Sequence, residues 1–274
     1  MMKYFLDSMI AKEILDALEQ DVEEITISLD LGRSTTKVNL SDSDWNSTQL
    51  HKIAKDSNTV YFIEDGEAFK AAISGSQFYK LMPSGKGTAP ALVISGVAMH
   101  RVKDMDPMKD ASMKAKLCAK TGNDMLEICT GLGYSTIECL KRGIRSIVSI
   151  EKDDDVIQLS SINPWSRELF SDSKVTLVHG DATEKICDFE DSRFHSILHD
   201  PPTFALGSSL YTHEFYSQIY RVLKRKGILF HYVGSPGAKY RRRDVQKGVI
   251  QRLRDAGFRD VERKKDALGV FARK

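Results

Sequence analysis

Glu127-Ile128-Cys129-Thr130-Gly131-Leu132-Gly133 follows the apolar pair Met125-Leu126 and runs into Tyr134-Ser135-Thr136-Ile137. A short apolar run that ends in glycines and passes into a helical pattern predicts a strand, a tight turn and a helix start. Glycine at positions 131 and 133 admits positive φ and lets a ligand approach the backbone closely. The helix from Tyr134 then points its free N–H groups at that ligand. A lone G-x-G is equally a tight turn that binds nothing, so the neighbouring strand ends decide what this one does.

Outward from the turn, the chain alternates strand and helix. Strands are predicted at 124–130, 145–151, 174–179, 195–199 and 227–233, helices at 134–143, 153–162, 211–225 and 240–257, and two short strands in 258–274. Such alternation predicts an α/β fold with a doubly wound, mostly parallel sheet. In these sheets ligands sit at the carboxyl ends of the strands, near the point where strand order reverses. Three further strand ends carry polar groups. Ile147-Val148-Ser149-Ile150-Glu151 closes with a carboxylate able to accept from both hydroxyls of a ribose; as a plain surface acid it would do nothing. Val178-His179-Gly180-Asp181-Ala182 offers an acid for an exocyclic amine and an N–H for a ring nitrogen, or simply a turn. Leu198-His199-Asp200-Pro201-Pro202-Thr203-Phe204 ends the fourth strand with two prolines that stiffen the loop and remove donors. There the Asp200 carboxylate and a proline carbonyl form a pair of acceptors for an –NH₂ group, and Phe204 offers a ring to a planar acceptor. The plainer account of that stretch is a rigid turn beside a helix cap.

Residues 1–90 read as a separate small α+β domain of helix and hairpins, and 91–274 as the larger, ligand-binding one. Apolar positions in 5–20 recur at helical spacing. Ile25–Leu31 and Thr36–Leu40 alternate strictly and predict a hairpin, as do 60–63 and 68–73 around Asp65-Gly66, and 78–82 adds a strand. Ser84–Pro90 reads as a linker, followed by the segment Leu92–Arg101 and a helix over 107–120.

With 41% hydrophobic and 28% charged residues and a mean hydropathy of −0.32, the chain has enough apolar surface to fold, which excludes disorder. Its longest apolar run, at Ala91-Leu92-Val93-Ile94, is far below the roughly 20 residues of a membrane helix. The first residues carry no apolar segment with a cleavage site, so a cytoplasmic location is expected. Cys118, Cys129, Cys139 and Cys187 are scattered without paired spacing and read as reduced thiols, with no metal site expected. Charge is uneven: residues 1–64 hold twelve Asp/Glu against six Lys/Arg, and 237–274 hold thirteen Lys/Arg against five Asp/Glu. The basic end would attract an anionic partner such as RNA, or is simply a solvated face.

Taken in order, these motifs resemble a class I S-adenosylmethionine (SAM)-dependent methyltransferase across about residues 90–274. Glu127 to Gly133 match its acidic-and-glycine motif, Glu151 its ribose-binding acid, Asp181-Ala182 its adenine-contact motif, and Asp200-Pro201-Pro202 its post-strand-4 motif. The closing pair of strands at 258–274 is also similar to the end of that fold. The runs Cys129–Tyr134, Asn163–Leu169 and His231–Gly234 resemble, more closely, a predicted archaeal methyltransferase family with no established substrate. The resemblance implies a class I methyltransferase-like Rossmann fold and SAM as cofactor. It assigns Glu127, Thr130, Gly131, Gly133, Tyr134, Glu151, Lys152, Asp181 and Ala182 to the cofactor, and Asp200, Pro201, Pro202 and Phe204 to the transfer. Two departures stand out. Cys129 replaces the first glycine of the turn, which predicts a negative φ there, and the aromatic at Phe204 comes one place late.

Methyl transfer is an in-line displacement that needs alignment more than covalent chemistry. Asp200 is expected to orient the unidentified acceptor, in RNA or elsewhere, and to take up charge or a proton. His199 and His231 are secondary candidates but read first as hydrogen-bonded structural residues, and Trp165 as a packing residue. Tyr79, His100 and Arg101 are candidates for reaching the site from the N-terminal region, with domain packing as the alternative. Arg241-Arg242-Arg243 offers a phosphate or carboxylate contact, or a solvated helix start. An aminopropyltransferase of the spermidine-synthase type, using decarboxylated SAM, shares the fold and a small N-terminal β domain, but needs acids lining a polyamine channel, and Asp153-Asp154-Asp155 lies on the cofactor side instead. An NAD(P) dehydrogenase would want a third glycine where Thr136 stands, and a non-catalytic SAM- or RNA-binding module has no need of Asp200.

Overall fold

Strict alternation in the N-terminal third yields short antiparallel strands, and the computed structural model describes residues 3–41, 45–204, 206–234 and 245–274. Two compact units divide the chain, one of Met1–Met108 with Gln158–Arg167, the other of Lys109–Ile157 with Glu168–Lys274.

In the first unit the elements are β1 (Tyr4–Leu6), α1 (Ser8–Glu19), β2 (Glu24–Ile27), β3 (Thr36–Asn39), α2 (Ser47–Lys55), β4 (Tyr61–Glu64), β5 (Glu67–Lys70), β6 (Ala72–Ser74), β7 (Phe78–Met82), β8 (Ala91–Ile94) and β9 (Val97–Ala98). The expected hairpins form as β2–β3 and β4–β5, both antiparallel. The helix expected over 5–20 is shorter. Phe5 and Leu6 pair with Phe62 and Tyr61 in a strand, and Asp7 caps α1 by accepting from the N–H groups of Met9 and Ile10, both at 2.9 Å. Trp165 is a packing residue: its indole N–H donates to the Leu31 carbonyl at 3.1 Å, beside the hydrogen bond from the Arg33 guanidinium to the Pro164 carbonyl. Those contacts explain why 158–167 counts with the first unit.

The helix α3 (Pro107–Cys118) leads to the second unit, and the elements that follow are β10 (Asp124–Ile128), α4 (Tyr134–Lys141), β11 (Ser146–Glu151), α5 (Asp154–Ile162), α6 (Arg167–Ser171), β12 (Val175–His179), α7 (Ala182–Lys185), β13 (Phe194–His199), α8 (His213–Val222), β14 (Leu223–Tyr232), α9 (Val245–Asp255), β15 (Arg259–Lys264) and β16 (Gly269–Arg273), of which α5 from Gln158 on and Arg167 of α6 fall in the first unit. Its sheet runs β12-β11-β10-β13-β14-β16-β15. The first five strands pair in parallel, and β16 is antiparallel to both its neighbours. Strand order reverses between β10 and β13, so the end of β10 lies at the switch point.

Period-two alternation sorts side chains onto two faces. Leu126, Ile128, Ile150, Ile197 and Leu229 pack with Tyr216, Ile219, Val249 and Leu253 of α8 and α9. Met125, Ile147, Leu198 and Phe230 pack with Ala115 and Cys118 of α3 and Cys139 of α4. Each fully buried aliphatic side chain contributes about 1.5–3 kcal/mol.

Two boundaries differ from the sequence expectation. The helix predicted over 211–225 ends at Val222, and the chain turns at once into β14. Leu223 pairs with Phe194, then a bulge with Lys226 at φ +62° delays regular pairing until Ile228 meets Ser196. The helix predicted over 240–257 is described from Val245 to Asp255, and Arg241-Arg242-Arg243 lie outside the described residues. Among the described residues no helix is long and apolar enough to cross a membrane.

Candidate active site

The carboxyl end of β10 continues into a turn pinned to β11, since the N–H groups of Cys129 and Thr130 both donate to the Ile150 carbonyl, at 3.0 and 3.1 Å. Closing it takes left-handed backbone at Cys129 (φ +69°), Gly131 (φ +55°) and Gly133 (φ +74°). The negative φ expected at Cys129 is therefore wrong: the turn needs the left-handed conformation there, and the cysteine adopts it at a cost of about 1–2 kcal/mol. The two glycines serve different ends. A Cβ on Gly133 would lie 2.7 Å from Cδ2 of Leu169, whereas one on Gly131 would meet nothing within 4 Å. Gly133 is a packing glycine. The space over Gly131 is open.

Beneath the turn lies a buried polar network. Glu127, 1% exposed, accepts at Oε2 from Ser149 Oγ at 2.6 Å and from Thr136 Oγ1, while the Thr130 hydroxyl meets Ser149 Oγ at 2.6 Å. Oε1 of Glu127 finds no hydrogen-bond partner among the described residues. Burial pushes the Glu127 carboxyl from its ordinary 4.5 up to about 7, against the pull of the two hydroxyls.

Glu151 ends β11 with both oxygens engaged. It accepts from the N–H groups of Gly131 (2.9 Å), Lys152 (2.9 Å) and Asp153 (3.1 Å), and burial raises its carboxyl above the usual range despite those donors. At the end of β12, Asp181 caps α7 by accepting from Thr183 N–H at 2.8 Å and its hydroxyl at 2.7 Å, and its Oδ2 lies 3.9 Å from Lys152 Nζ. The Gly180 N–H donates to the Glu151 carbonyl at 2.9 Å, which ties the two strand ends together.

At the end of β13 the Asp200 N–H donates to the Ile128 carbonyl at 3.1 Å, and its carboxylate accepts from Lys114 Nζ at 2.7 Å. Lys114, on α3, also pairs with Asp110 at 3.0 Å and lies 4.0 Å from the centroid of the Tyr232 ring. Burial pulls the Lys114 ammonium down, but Asp200 and Asp110 more than offset this and hold it above its ordinary value, so it stays charged. The loop beyond is braced by the Tyr211 hydroxyl, which donates to the Pro202 carbonyl at 2.8 Å. Phe204 is 47% exposed and meets the Tyr211 ring edge-on at 5.4 Å.

Known proteins bear on this geometry. The family described as Conserved hypothetical protein 95 matches residues 104–233. The Uncharacterized protein MJ1233 of Methanocaldococcus jannaschii is 44% identical over 280 residues, covering 98% of this chain and 94% of that protein. The chain belongs to the family of that protein. Among solved structures, a spermidine synthase in complex with the transition state analogue AdoDATO matches with a TM-score of 0.62 at 19% identity, over 74% of this chain and 72% of that one. Spermidine synthase from Thermotoga maritima matches with a TM-score of 0.59 at 18% identity, over 74% of this chain and 70% of that one. These likenesses show the fold, and with the strand order above it is the class I methyltransferase type.

In this member of the family, the sheet register makes the four strand ends neighbours: Ile128 lies opposite Ile150 on one side and His199 on the other, and Glu151 lies opposite His179. Gly131, Glu151, Asp181 and Asp200 are thereby brought to one edge. Thr130 and Glu127 are in the network under the turn, and Tyr134, 2% exposed, is buried at the start of α4. Ala182 is the first residue of α7, and Pro201 is buried.

His199 and His231 are structural. Both are fully buried with rings 4.3 Å apart, and they meet the Leu210 carbonyl and the Tyr216 hydroxyl, each at 3.0 Å. Burial drives His199 down to about 3 and His231 well below its ordinary value, so both are neutral. Tyr79 is wholly buried in the first unit, with its hydroxyl 3.0 Å from Ser76 Oγ, and His100 accepts from Leu92 N–H at 3.2 Å in the same unit. Sequence reasoning missed Lys114, Asp110, Tyr232 and Tyr211. The available signal was an acid and a lysine four apart on α3, beside Ala111, Ala115 and Cys118 on its buried side.

Proposed function

We propose that this protein is a SAM-dependent methyltransferase in which Asp200 orients the acceptor. The observation that carries this reading is that four parallel strands lie side by side with Gly131, Glu151, Asp181 and Asp200 following their carboxyl ends. The residues present fit the cofactor: the unpartnered Oε1 of buried Glu127 suits an amino group, and the open space over Gly131 lets a ligand approach the backbone. Glu151 would hold the ribose hydroxyls, Asp181 and the Ala182 N–H the adenine, and Thr130, Gly131 and Lys152 would complete the wall, with Gly133 and the buried Tyr134 shaping the turn from below. SAM supplies an electrophilic methyl on a sulfonium.

Asp200 and the loop it opens do the rest. Pro202 offers its carbonyl to Tyr211, so the second acceptor for a substrate N–H falls to the Pro201 carbonyl. Burial raises the Asp200 carboxyl, against the Lys114 charge, so the carboxylate is a competent receiver of the proton that the nucleophile sheds. Phe204, half exposed beside Tyr211, presents a ring to the acceptor. The exposed Arg225, Lys226, Arg254, Arg259, Arg263, Lys265 and Arg273 support RNA as the acceptor class to test first.

Calorimetry with SAM, S-adenosylhomocysteine and decarboxylated SAM tests this reading. Glu151→Ala should weaken S-adenosylhomocysteine about 100-fold, the worth of two charge-assisted hydrogen bonds. Asp200→Ala should bind it unchanged and lose transfer of labelled methyl to RNA, protein or metabolite fractions. Absence of binding by the wild type sinks the proposal, and preference for decarboxylated SAM moves it to aminopropyl transfer.

A further inference from the structure

Lys114 Nζ is held by two carboxylates and an aromatic face: Asp200 Oδ2 at 2.7 Å, Asp110 Oδ2 at 3.0 Å and the Tyr232 ring centroid at 4.0 Å. Carboxylate pairs with a π face are the recognition chemistry of a primary alkylammonium. The parts come from α3 and from the ends of β13 and β14, so the seat is built by the second unit alone. It is largely buried, with side-chain exposures of 5% for Asp110, 9% for Lys114 and 20% for Asp200.

The ammonium in this seat is tethered. A free amine of the same chemistry would compete against an intramolecular group whose effective concentration is on the order of millimolar or above. An acceptor at Asp200 would lie beside the cofactor proposed above, and this inference rests on that reading. A cationic acceptor reaching Asp200 would meet a carboxylate already paired with the Lys114 ammonium at 2.7 Å.

We propose that Lys114 sets the acceptor class: it fills a built-in alkylammonium seat, so the group that reaches Asp200 is an uncharged nucleophile, such as a nucleobase amine, and not a diamine or a lysine side chain. Lys114 is a specificity-determining residue that acts on the acceptor through Asp200.

The test uses n-propylammonium chloride as the probe, with n-propanol and sodium chloride as controls. It is titrated calorimetrically into the full-length wild type and Lys114→Ala. The wild type should show no saturable binding of propylammonium or putrescine, and no transfer to putrescine or a lysine peptide. Lys114→Ala should bind propylammonium saturably, at concentrations at least tenfold below those at which the wild type shows no binding, with a rise in Tm that neither control produces. Binding or turnover of putrescine by the wild type overturns the proposal, as does a folded Lys114→Ala that gains no propylammonium affinity. Should Lys114→Ala not fold, the wild-type amine arms decide alone. Failure of the cofactor reading shows separately, as absent S-adenosylhomocysteine binding, while the propylammonium response still reports on the seat.

Discussion

The two halves of the site are held by different means. On the side of β10, β11 and β12, backbone does most of the work: Cys129 and Thr130 N–H groups reach Ile150, Gly131 N–H reaches Glu151, Gly180 N–H reaches the Glu151 carbonyl, and Asp181 caps its own helix. On the side of β13 and β14, side chains do the holding: Lys114 on Asp200, Tyr211 on Pro202, and Tyr216 on His231 of β14. A backbone-built half needs only a few residue types at fixed spacing. A side-chain-built half needs particular residues delivered by other elements, and can change what it accepts by exchanging one of them.

The glycine turn is where this contrast can be broken most sharply. Gly133→Ala combines a left-handed φ with a Cβ pressed onto Leu169 and should destabilise the fold by about 3 kcal/mol in urea unfolding. Gly131→Ala has the same backbone strain but open space, so it should cost about 1 kcal/mol while weakening S-adenosylhomocysteine at least tenfold. Equal losses of stability would mean the two glycines do not divide their roles as described.

A smaller effect lies under that turn. The Glu127 carboxyl, raised from 4.5 to about 7, keeps in the folded state a proton that the unfolded chain has lost. Its contribution to stability is thus full below about pH 4.5 and disappears as pH rises through 7. Relative to Glu127→Gln, the wild type should lose about 2 kcal/mol between pH 5 and pH 8. Parallel pH profiles for the two proteins would remove Glu127 as the titrating group.

The smallest effect is expected on the side-chain-built half. Tyr211→Phe deletes the hydroxyl on Pro202 and should cost about 1 kcal/mol. Its larger consequence should be on transfer, with cofactor affinity unchanged. Loss of cofactor affinity instead would show the two halves to be coupled.

Much of the fold was legible because it rests on repeating local rules. Alternation in Ile25–Leu31 and Thr36–Leu40 marked a hairpin, and apolar runs ending in glycine or an acid marked the tips at Gly131, Glu151, Asp181 and Asp200. Illegible features were those in which neighbours in space overrode local preference. Phe5 and Leu6 suit a helix but join a strand because β4 offers them partners. Leu223 leaves α8 for β14 because Phe194 lies across from it. Cys129 takes a glycine's conformation because Ile150 claims two consecutive N–H groups.

Spacing and periodicity along the chain were enough to specify a parallel sheet, its direction and the four polar tips on its carboxyl edge. That is so because backbone geometry repeats every two or 3.6 residues and leaves the same trace wherever it occurs. The meeting of Lys114 with Asp200, 86 residues further on, left no such trace. An ion pair between separate elements depends on where packing puts them, and only the folded chain decides that.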